Sequence, residues 1–313
     1  MKKVLVTGGC GFIGSHVVDS LILKGYEVAI IDNLSLGKYY WDSNEKKPRL
    51  FKTDILDLKA CLDIFEEVRP DVVIHLAANH YIPFCEKNIF QAYELNVRGT
   101  LNIIECSRTV QVKRFFFAST GDVYAPSFQR HREVDMISPI YVYGHTKYLG
   151  EQICMKYHES AFEDCGMIIG RLFNAAGPRE TNPHLLPEVV RQIIDGKRVI
   201  EVGNTWPLRD FIDVKSMAEI IADLSLNAGG IDLVNIGSGQ AVTVSHALQT
   251  LVSVLPFKVE IVSVPEKQRP NDRPYLCPDI NKLKRIIGKA AESFSEQTAE
   301  SIFAPYRLTD KQA

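Results

Sequence analysis

The chain has 313 residues, of which 46% are hydrophobic and 24% charged, the composition of an ordinary globular protein with one large domain and a smaller one. Its 36 Lys and Arg nearly balance its 38 Asp and Glu, so the net charge of −2 predicts no nucleic-acid partner and no membrane surface. Seven scattered cysteines without a C-x-x-C pair, and apolar runs too short for a signal peptide or a membrane span, predict a cytoplasmic protein with no disulfides and no metal site.

Strand-like and helix-like segments alternate through the first two thirds of the chain. Lys3–Thr7 is an apolar run that ends at a glycine, and Phe12–Leu23 carries apolar residues at helical spacing. The other predicted strands are Glu27–Ile31, Leu50–Thr53, Val72–Leu76, Arg114–Ala118 and Met167–Leu172, and the other predicted helices are Lys59–Val68, Ile89–Ser107 and Tyr143–Phe162. This alternation predicts an α/β fold with a Rossmann-type, doubly wound parallel sheet.

The rhythm becomes irregular after Asn174, where prolines separate short segments. We therefore predict a first domain over residues 1–174 and a smaller, mixed C-terminal domain over 175–313. A return to the main sheet is expected over about residues 210–245, with Leu233–Ile236 and the helix-like Ser245–Val254 as candidates.

A glycine motif lies between the first strand and the first helix. Gly8, Gly11 and Gly14 form G-x-x-G-x-x-G, where the missing Cβ atoms allow a tight turn and a close approach of a pyrophosphate to the helix N-terminus. Asp32 ends the second strand, eighteen residues beyond Gly14, where a carboxylate accepts hydrogen bonds from both ribose hydroxyls of an adenosine. Because that carboxylate repels a 2′-phosphate, the motif predicts NAD as the cofactor.

Tyr143 and Lys147 are four residues apart at the start of a predicted helix, which places both side chains on one face. An adjacent ammonium, together with the positive charge of oxidised nicotinamide, favours the phenolate and is expected to bring the tyrosine pKa towards working pH. Thr120 follows the strand Arg114–Ala118, at the sheet edge where ligands of such folds bind. Thr120, Tyr143 and Lys147 are therefore the candidate catalytic residues, although a turn-forming role for the hydroxyl remains an alternative.

The motifs together resemble those of the extended short-chain dehydrogenases, and more narrowly the nucleoside-diphosphate-sugar 4-epimerase/dehydratase branch. They are the glycine turn, Asp32–Ser35, Thr53–Ile55, His75–Ala78, Asn96–Thr100, Ser119-Thr120 and Tyr143-x-x-x-Lys147. In that family a bound NAD oxidises the sugar C4 hydroxyl and later returns the hydride, so the resemblance implies an enzyme that regenerates its cofactor.

The resemblance also implies roles for individual residues. The cofactor would be bound by Gly8, Gly11, Phe12, Ile13, Gly14, Asp32, Asn33, Ser35, Lys38, Asp54, Ile55, Leu76, Ala77, Ala78, His80, Asn96, Tyr143 and Lys147. The sugar nucleotide would be bound by Thr120, Asn174, Leu186, Arg209 and Arg269. The two arginines suit the diphosphate because guanidinium forks bind phosphate oxygens bidentately, although surface salt bridges are the alternative for both.

Two departures from the family pattern concern the reaction and the sugar. Thr120 is followed by Gly121-Asp122, where dehydratases and decarboxylating relatives carry Thr-Asp-Glu or Thr-Ser-Glu. Asp122 is therefore either a catalytic acid or a cap of the following turn. The segment Asn79–Cys85 differs from the usual sugar-facing loop.

The leading hypothesis is a 4-epimerase of a nucleoside-diphosphate sugar, with UDP-hexose or UDP-hexuronate as the substrate class. The alternative within the same fold is a 4,6-dehydratase or C4-oxidising decarboxylase that uses Asp122, and a non-catalytic NAD-binding protein is the alternative from another class. Relatives that dimerise through a four-helix contact imply a homodimer, with the helices Ile89–Ser107 and Tyr143–Phe162 as its candidate interface.

Overall fold

The structure, a computed structural model, describes residues 2–42, 46–268 and 272–306. Its strands are β1 (Lys3–Thr7), β2 (Glu27–Asp32), β3 (Arg49–Lys52), β4 (Val72–His75), β5 (Arg114–Thr120), β6 (Gly166–Leu172), β7 (Asn174–Ala176), β8 (Val199–Val202), β9 (Leu208–Asp213), β10 (Ile231–Ile236), β11 (Ala241–Thr243), β12 (Glu260–Ser263) and β13 (Tyr275–Leu276). Its helices are α1 (Phe12–Leu23), α2 (Leu58–Val68), α3 (Ile82–Lys87), α4 (Ile89–Tyr93), α5 (Gly99–Thr109), α6 (Val142–Ala161), α7 (Leu185–Ile194), α8 (Val214–Asn227), α9 (Val244–Ser253), α10 (Asn281–Ile287) and α11 (Glu296–Phe303).

The main sheet has seven parallel strands in the order β10-β6-β5-β4-β1-β2-β3. Strand β1 pairs with β2 on one side and β4 on the other, and the strand order reverses beside it, which is where such sheets bind ligands. The prediction of a Rossmann-type sheet is confirmed, and the bounds predicted for β1 and α1 agree with the structure.

Both faces of this sheet are covered, as a parallel sheet of continuous apolar strands requires. One hydrophobic cluster packs α1 and α8 against the sheet, and a second packs α2, α5 and α6 against its other face. Neighbouring residues of one strand, such as Val4 and Leu5, belong to different clusters because successive side chains point to opposite faces. The doubly wound arrangement is therefore confirmed.

The helix predicted over Ile89–Ser107 is confirmed, since helical residues run without a gap from Ile89 to Thr109, but it contains an irregularity that the sequence did not predict. A π-helical turn at Glu94–Arg98 separates α4 from α5. Within that turn, the Asn96 amide accepts a hydrogen bond from the Asn79 backbone N–H at 2.8 Å and donates to the Asn79 carbonyl at 2.9 Å. The π-helical turn thus carries a side chain that is bonded to another segment of the chain. The spacing of apolar residues along a helix does not reveal such a contact.

The remaining strands form a smaller assembly. The strands β11, β9 and β13 pair in that order, β7 pairs with β9, and β12 pairs with β8. The expectation that Leu233–Ile236 returns to the main sheet is confirmed, because β10 pairs with β6. The same expectation for Ser245–Val254 is wrong, since the buried side chains of α9 pack with those of α7 and α11 in a third cluster.

Within the segment expected to return, α8 and β10 lie on the main sheet, whereas β9 and β11 belong to the smaller assembly. The division of the chain at residue 174 stays a prediction. None of the described helices combines the length and the apolar character needed to cross a membrane.

Candidate active site

The glycine motif forms the turn from β1 into α1. Gly8 has a φ of 70°, and a Cβ there would lie 2.7 Å from the Ala77 backbone nitrogen. A Cβ on Gly14 would lie 2.0 Å from the Gly8 carbonyl oxygen, so neither position tolerates a side chain. Gly11 is the N-cap of α1, and no side chain of the described residues caps that helix. Its first amide groups therefore remain available to an anion.

Asp32 ties the end of β2 to this turn. One carboxylate oxygen accepts a hydrogen bond from the Cys10 N–H at 3.0 Å, and the other accepts one from the Leu34 N–H at 2.8 Å. Burial raises the pKa of Asp32, while the two N–H donors act in the opposite direction. Asp32, which is predicted to bind the adenosine ribose, therefore also fixes the shape of the glycine turn.

A cavity of about 530 Å³ extends from the glycine turn to the C-terminal assembly. The predicted cofactor residues that line it are Gly8, Gly11, Phe12, Ile13, Gly14, Asp32, Asn33, Ser35, Asp54, Ile55, Leu76, Ala77, Ala78, His80, Tyr143 and Lys147. The predicted substrate residues that line it are Thr120, Asn174, Leu186 and Arg209. One continuous cavity therefore collects both predicted sets.

Two predicted site residues are not among those that line the cavity, and a third is outside the described residues. Lys38 is exposed, and its backbone N–H donates to the Cys10 carbonyl at 3.0 Å. Asn96 is buried behind the cavity, where its amide also donates to the Thr146 hydroxyl at 3.0 Å. Arg269 is outside the described residues, and the roles of all three stay predictions.

The candidate catalytic residues meet where β5 ends and α6 begins. Thr120 is the last residue of β5, and Tyr143 and Lys147 lie on the first turns of α6. Gly144 permits this approach, because a Cβ there would lie 2.5 Å from the Asp122 carbonyl oxygen. Thr120 lies close enough to Tyr143 for its hydroxyl to lower the pKa of the phenol, which agrees with the sequence-based hypothesis.

The protonation equilibria differ from the sequence-based expectation. Burial raises the pKa of Tyr143 above its usual value, the Asp122 carboxylate raises it further, and the hydrogen bond from Thr120 lowers it. Burial also lowers the pKa of Lys147 to about 8. The expected lowering of the phenol pKa by Lys147 is therefore wrong for the protein alone. The other half of that expectation, the positive charge of oxidised nicotinamide, would have to supply it.

Lys147 is held in an apolar position. It is buried, and its Nζ lies 4.7 Å from the centroid of the Phe117 ring. The carboxylate one turn further on, Glu151, is engaged elsewhere, since it accepts hydrogen bonds from Ser119 and from Arg171 at 2.9 and 2.7 Å. The Lys147 ammonium therefore remains directed at the cavity that it lines.

The structure resolves one alternative for Asp122. The Thr120 hydroxyl, rather than Asp122, caps the short turn Gly121–Val123 by accepting a hydrogen bond from the Asp122 N–H at 3.2 Å. The Asp122 carboxylate lines the cavity and lies 3.5 Å from Nε of the buried Arg273. Arg273 also donates to the carbonyls of Tyr124 at 2.7 Å and of Asp122 at 2.9 Å. Sequence reasoning missed this arginine, because it comes from a segment about 150 residues away.

The far wall of the cavity comes from the C-terminal assembly. Asn174 lies on β7, Leu186 on α7 and Arg209 on β9. Arg209 donates to Asp272 at 2.7 Å, and Asp272 also accepts a hydrogen bond from Asn204 at 3.1 Å. A guanidinium oriented by a carboxylate in this way faces the cavity with a fixed geometry.

Comparison with known proteins identifies the family. Residues 4–237 match the sequence profile described as "NAD dependent epimerase/dehydratase family". The chain belongs to this family. The resemblance drawn from its motifs is thus confirmed, and NAD is confirmed as the cofactor of the family.

Relatives of this family member catalyse different reactions. A UDP-N-acetyl-alpha-D-glucosaminuronate decarboxylase of Bacillus cytotoxicus is 31% identical over 91% of both chains. A putative UDP-glucose 4-epimerase of Methanocaldococcus jannaschii is 30% identical over 90% of this chain and 92% of its own length. The solved UDP-glucose 4-epimerase from Brucella ovis in complex with NAD superimposes with a TM-score of 0.89 at 26% identity, covering 99% of both chains. Membership of the family alone therefore leaves the reaction open.

One group of residues in the cavity of this family member was not anticipated. His80, Glu180 and His184 each offer a donor atom, and the three atoms lie within 4.8 Å of one another. The sequence predicts no metal site, since its cysteines are scattered and His80 is about a hundred residues from the other two. The spacing Glu180-x-x-x-His184 is the only local signal from which this pair could have been predicted.

Proposed function

We propose that this protein catalyses epimerisation at C4 of a nucleoside-diphosphate sugar through a transient 4-keto sugar. UDP-hexose or UDP-hexuronate is the proposed substrate class. The observation that carries the proposal is the meeting of Thr120, Tyr143 and Lys147 in the same cavity as the glycine turn and Asp32. A nucleotide site without acid–base groups suits a binding protein, whereas this arrangement suits proton and hydride transfer at an alcohol.

The cavity residues fit NAD. The amide groups at the start of α1 would receive the pyrophosphate and the Asp32 carboxylate the adenosine ribose, while Gly8 and Gly14 allow the close backbone contacts that shape the turn. When bound, NAD supplies a reversible hydride acceptor next to the sugar C4.

The protein residues then have distinct tasks. Tyr143 takes the proton of the C4 hydroxyl and returns it after the sugar has turned in the cavity. Thr120 donates a hydrogen bond that stabilises the phenolate, and the Lys147 ammonium adds a positive charge. Arg209 and Asn174 bind the diphosphate on the opposite wall.

Gly121 disfavours the dehydratase alternative. The dehydratases and decarboxylating relatives that this chain resembles carry Thr-Asp-Glu or Thr-Ser-Glu, and Gly121 stands at the middle position of that triplet. A Cβ at this position would lie 2.9 Å from Cε1 and Cζ of the Phe173 ring, so the site has no room for an acidic side chain. A reaction that needs only C4 oxidation and reduction is compatible with the glycine.

A C4-oxidising decarboxylase remains the second candidate. Asp122 supports it, because the carboxylate lines the cavity close enough to Tyr143 to raise the pKa of the phenol. The buried Arg273 holds that carboxylate in place. The decarboxylase from Bacillus cytotoxicus makes this candidate testable beside the epimerase.

The test is product analysis on a panel of UDP-, dTDP-, GDP- and CDP-sugars that includes UDP-glucuronate. We expect an isomer of unchanged mass from a UDP-sugar, separated from its substrate by chromatography, and no product from the Tyr143→Phe variant. Loss of carbon dioxide would establish the second candidate, and loss of water would contradict both.

We also propose that the protein is a homodimer that uses the region of α4 to α6. Exposed apolar side chains on α4 support this, since Ile89 and Phe90 are 52% and 76% exposed. Sedimentation analysis of the wild type and of a Phe90→Glu variant tests it, with a dimer expected for the wild type and a shift to monomer for the variant.

A further inference from the structure

A second polar cluster lines the cavity, apart from Thr120, Tyr143 and Lys147. His80 lies in the loop between β4 and α3, and Glu180 and His184 lie between β7 and α7. Each contributes one donor atom to a group whose members are within 4.8 Å of one another, and all three side chains line the cavity. Two imidazoles and a carboxylate from separate parts of the chain thus converge at one place.

The His80 ring is held in a fixed orientation. Its Nε2 lies 3.3 Å from the side-chain nitrogen of Asn182. In metal sites a polar neighbour of this kind holds the ring nitrogen that does not bind the ion. With one ring nitrogen held by Asn182, the other is the one available to a metal ion.

The carboxylate of Glu180 is nearly buried beside the two histidines. Its side chain is only 7% exposed, and its ion-pair partner among the residues described is His184, with Nδ1 and Oε1 2.6 Å apart. A cation beside this nearly buried carboxylate would balance its charge. The His80 and His184 rings stand 5.1 Å apart at 70°, so a cation between these groups would have nitrogen donors close to the carboxylate.

We propose that His80, Glu180 and His184 form a binding site for one zinc-like divalent transition metal. Two imidazoles and one carboxylate suit Zn²⁺ and Co²⁺, whereas Mg²⁺ and Ca²⁺ prefer oxygen ligands throughout. Three protein ligands leave a coordination position open, as in catalytic rather than structural zinc sites. Because the three residues line the cavity, that position faces the space available to a ligand.

The metal site does not depend on the proposed epimerisation. Its evidence is the geometry of three side chains, none of which belongs to the Thr120–Tyr143–Lys147 group. Metal binding is measured on the protein without substrate, so failure of the metal proposal and failure of the epimerase proposal give separate results.

The experiment is a Co²⁺ titration of the full chain, purified without a polyhistidine tag and with its NAD retained. We expect visible absorption bands of Co²⁺ bound by nitrogen and oxygen ligands, saturation at one ion per chain, and displacement by Zn²⁺. The variants His184→Gln and Glu180→Gln should each bind Co²⁺ at least about tenfold more weakly. The control is His246→Gln, because His246 is exposed on α9 and does not line the cavity described here.

Thermal melts separate metal loss from misfolding. We expect Zn²⁺ to raise the melting temperature of the wild type and of His246→Gln, and to leave that of folded His184→Gln unchanged. If His184→Gln does not fold, the Co²⁺ affinity and the Zn²⁺-dependent melting temperature of Glu180→Gln test the proposal instead. Absence of saturable Co²⁺ bands, or equal affinity in wild type, His184→Gln and Glu180→Gln, would overturn the proposal and leave Glu180 and His184 as an ion pair only.

Discussion

The main sheet and the C-terminal assembly contribute to the cavity in different ways. The main sheet presents its site residues at strand ends, directly after them, or in the first turns of helices, as with Asp32, Thr120, Gly8 and Tyr143. The C-terminal assembly contributes residues of short strands and connecting segments, such as Arg209 and Asn174, which distant partners hold in place. We infer that the sheet supplies the chemistry and that the assembly supplies recognition of the sugar nucleotide. Variants of the site residues on the main sheet should change kcat, and variants of those in the C-terminal assembly should change KM.

The largest expected effect comes from Tyr143→Phe. Removal of the phenol hydroxyl deletes the proposed base while keeping the ring, so kcat should fall roughly 10³-fold, within the range for loss of a general acid–base group. Bound NAD, measured by absorbance after denaturation, should stay at the wild-type level.

The matched control for that variant is Tyr148→Phe, which removes a hydroxyl from the same helix at a residue not among those that line the cavity. Its kcat should equal that of the wild type. Equal activity of Tyr143→Phe and wild type would remove Tyr143 from the mechanism.

Gly121→Ala should destabilise the protein by packing. The added Cβ would meet the Phe173 ring at 2.9 Å, and overpacking of this kind costs about 1–3 kcal/mol in the free energy of unfolding. Chemical denaturation followed by circular dichroism measures it.

Two further variants make that result specific. A Cβ on Gly229 has no neighbour within 4 Å, so Gly229→Ala should be neutral or stabilising by up to about 1 kcal/mol. Phe173→Leu should recover part of the loss when combined with Gly121→Ala. A Gly121→Ala protein as stable as the wild type would show that this corner has room for an acidic side chain.

Arg209→Gln tests the recognition half of the comparison. Loss of the guanidinium should raise KM for the sugar nucleotide about tenfold, since a charged hydrogen bond contributes about 1.5–3 kcal/mol, and should leave kcat and bound NAD unchanged. Arg191→Gln is the control, because Arg191 is exposed on α7 and pairs with Glu188. A fall in kcat at constant KM would place Arg209 with the chemistry instead.

Asp122→Asn should have the smallest effect on an epimerase. The Asp122 carboxylate raises the pKa of Tyr143, so its removal favours the phenolate and should move the acidic limb of the kcat profile to lower pH. At the optimum, kcat should change by less than about tenfold, well below the roughly 10²-fold loss expected at the least for a lost acid–base group. Loss of all turnover, with the acidic limb absent, would instead favour the decarboxylase.

The sequence predicted the main sheet well because its signals are local. Apolar strands that end at glycine, and a helix such as Phe12–Leu23 with a regular apolar face, carry their own pattern. The glycine turn, Asp32 and the Tyr143/Lys147 pair were found for the same reason, since each rests on spacing within one segment or between neighbouring ones.

What the sequence did not predict depends on contacts between distant segments. The π-helical turn at Glu94–Arg98 involves the bond between Asn96 and Asn79, and the ring that a Cβ on Gly121 would meet belongs to Phe173. The partner of Asp122 is Arg273, and that of His80 is Asn182. The direction of the Tyr143 pKa shift also escaped prediction, because burial is a property of the whole fold rather than of the motif.

The most direct test of the account follows the hydrogen at C4. A UDP-sugar substrate carrying deuterium at C4 is incubated with the NAD-bound protein, and the product is examined by mass spectrometry and NMR. The account predicts an isomer of unchanged mass with the label still at C4 and the configuration there inverted. A product that has lost carbon dioxide or water, or an isomer whose label has exchanged with solvent, would contradict it.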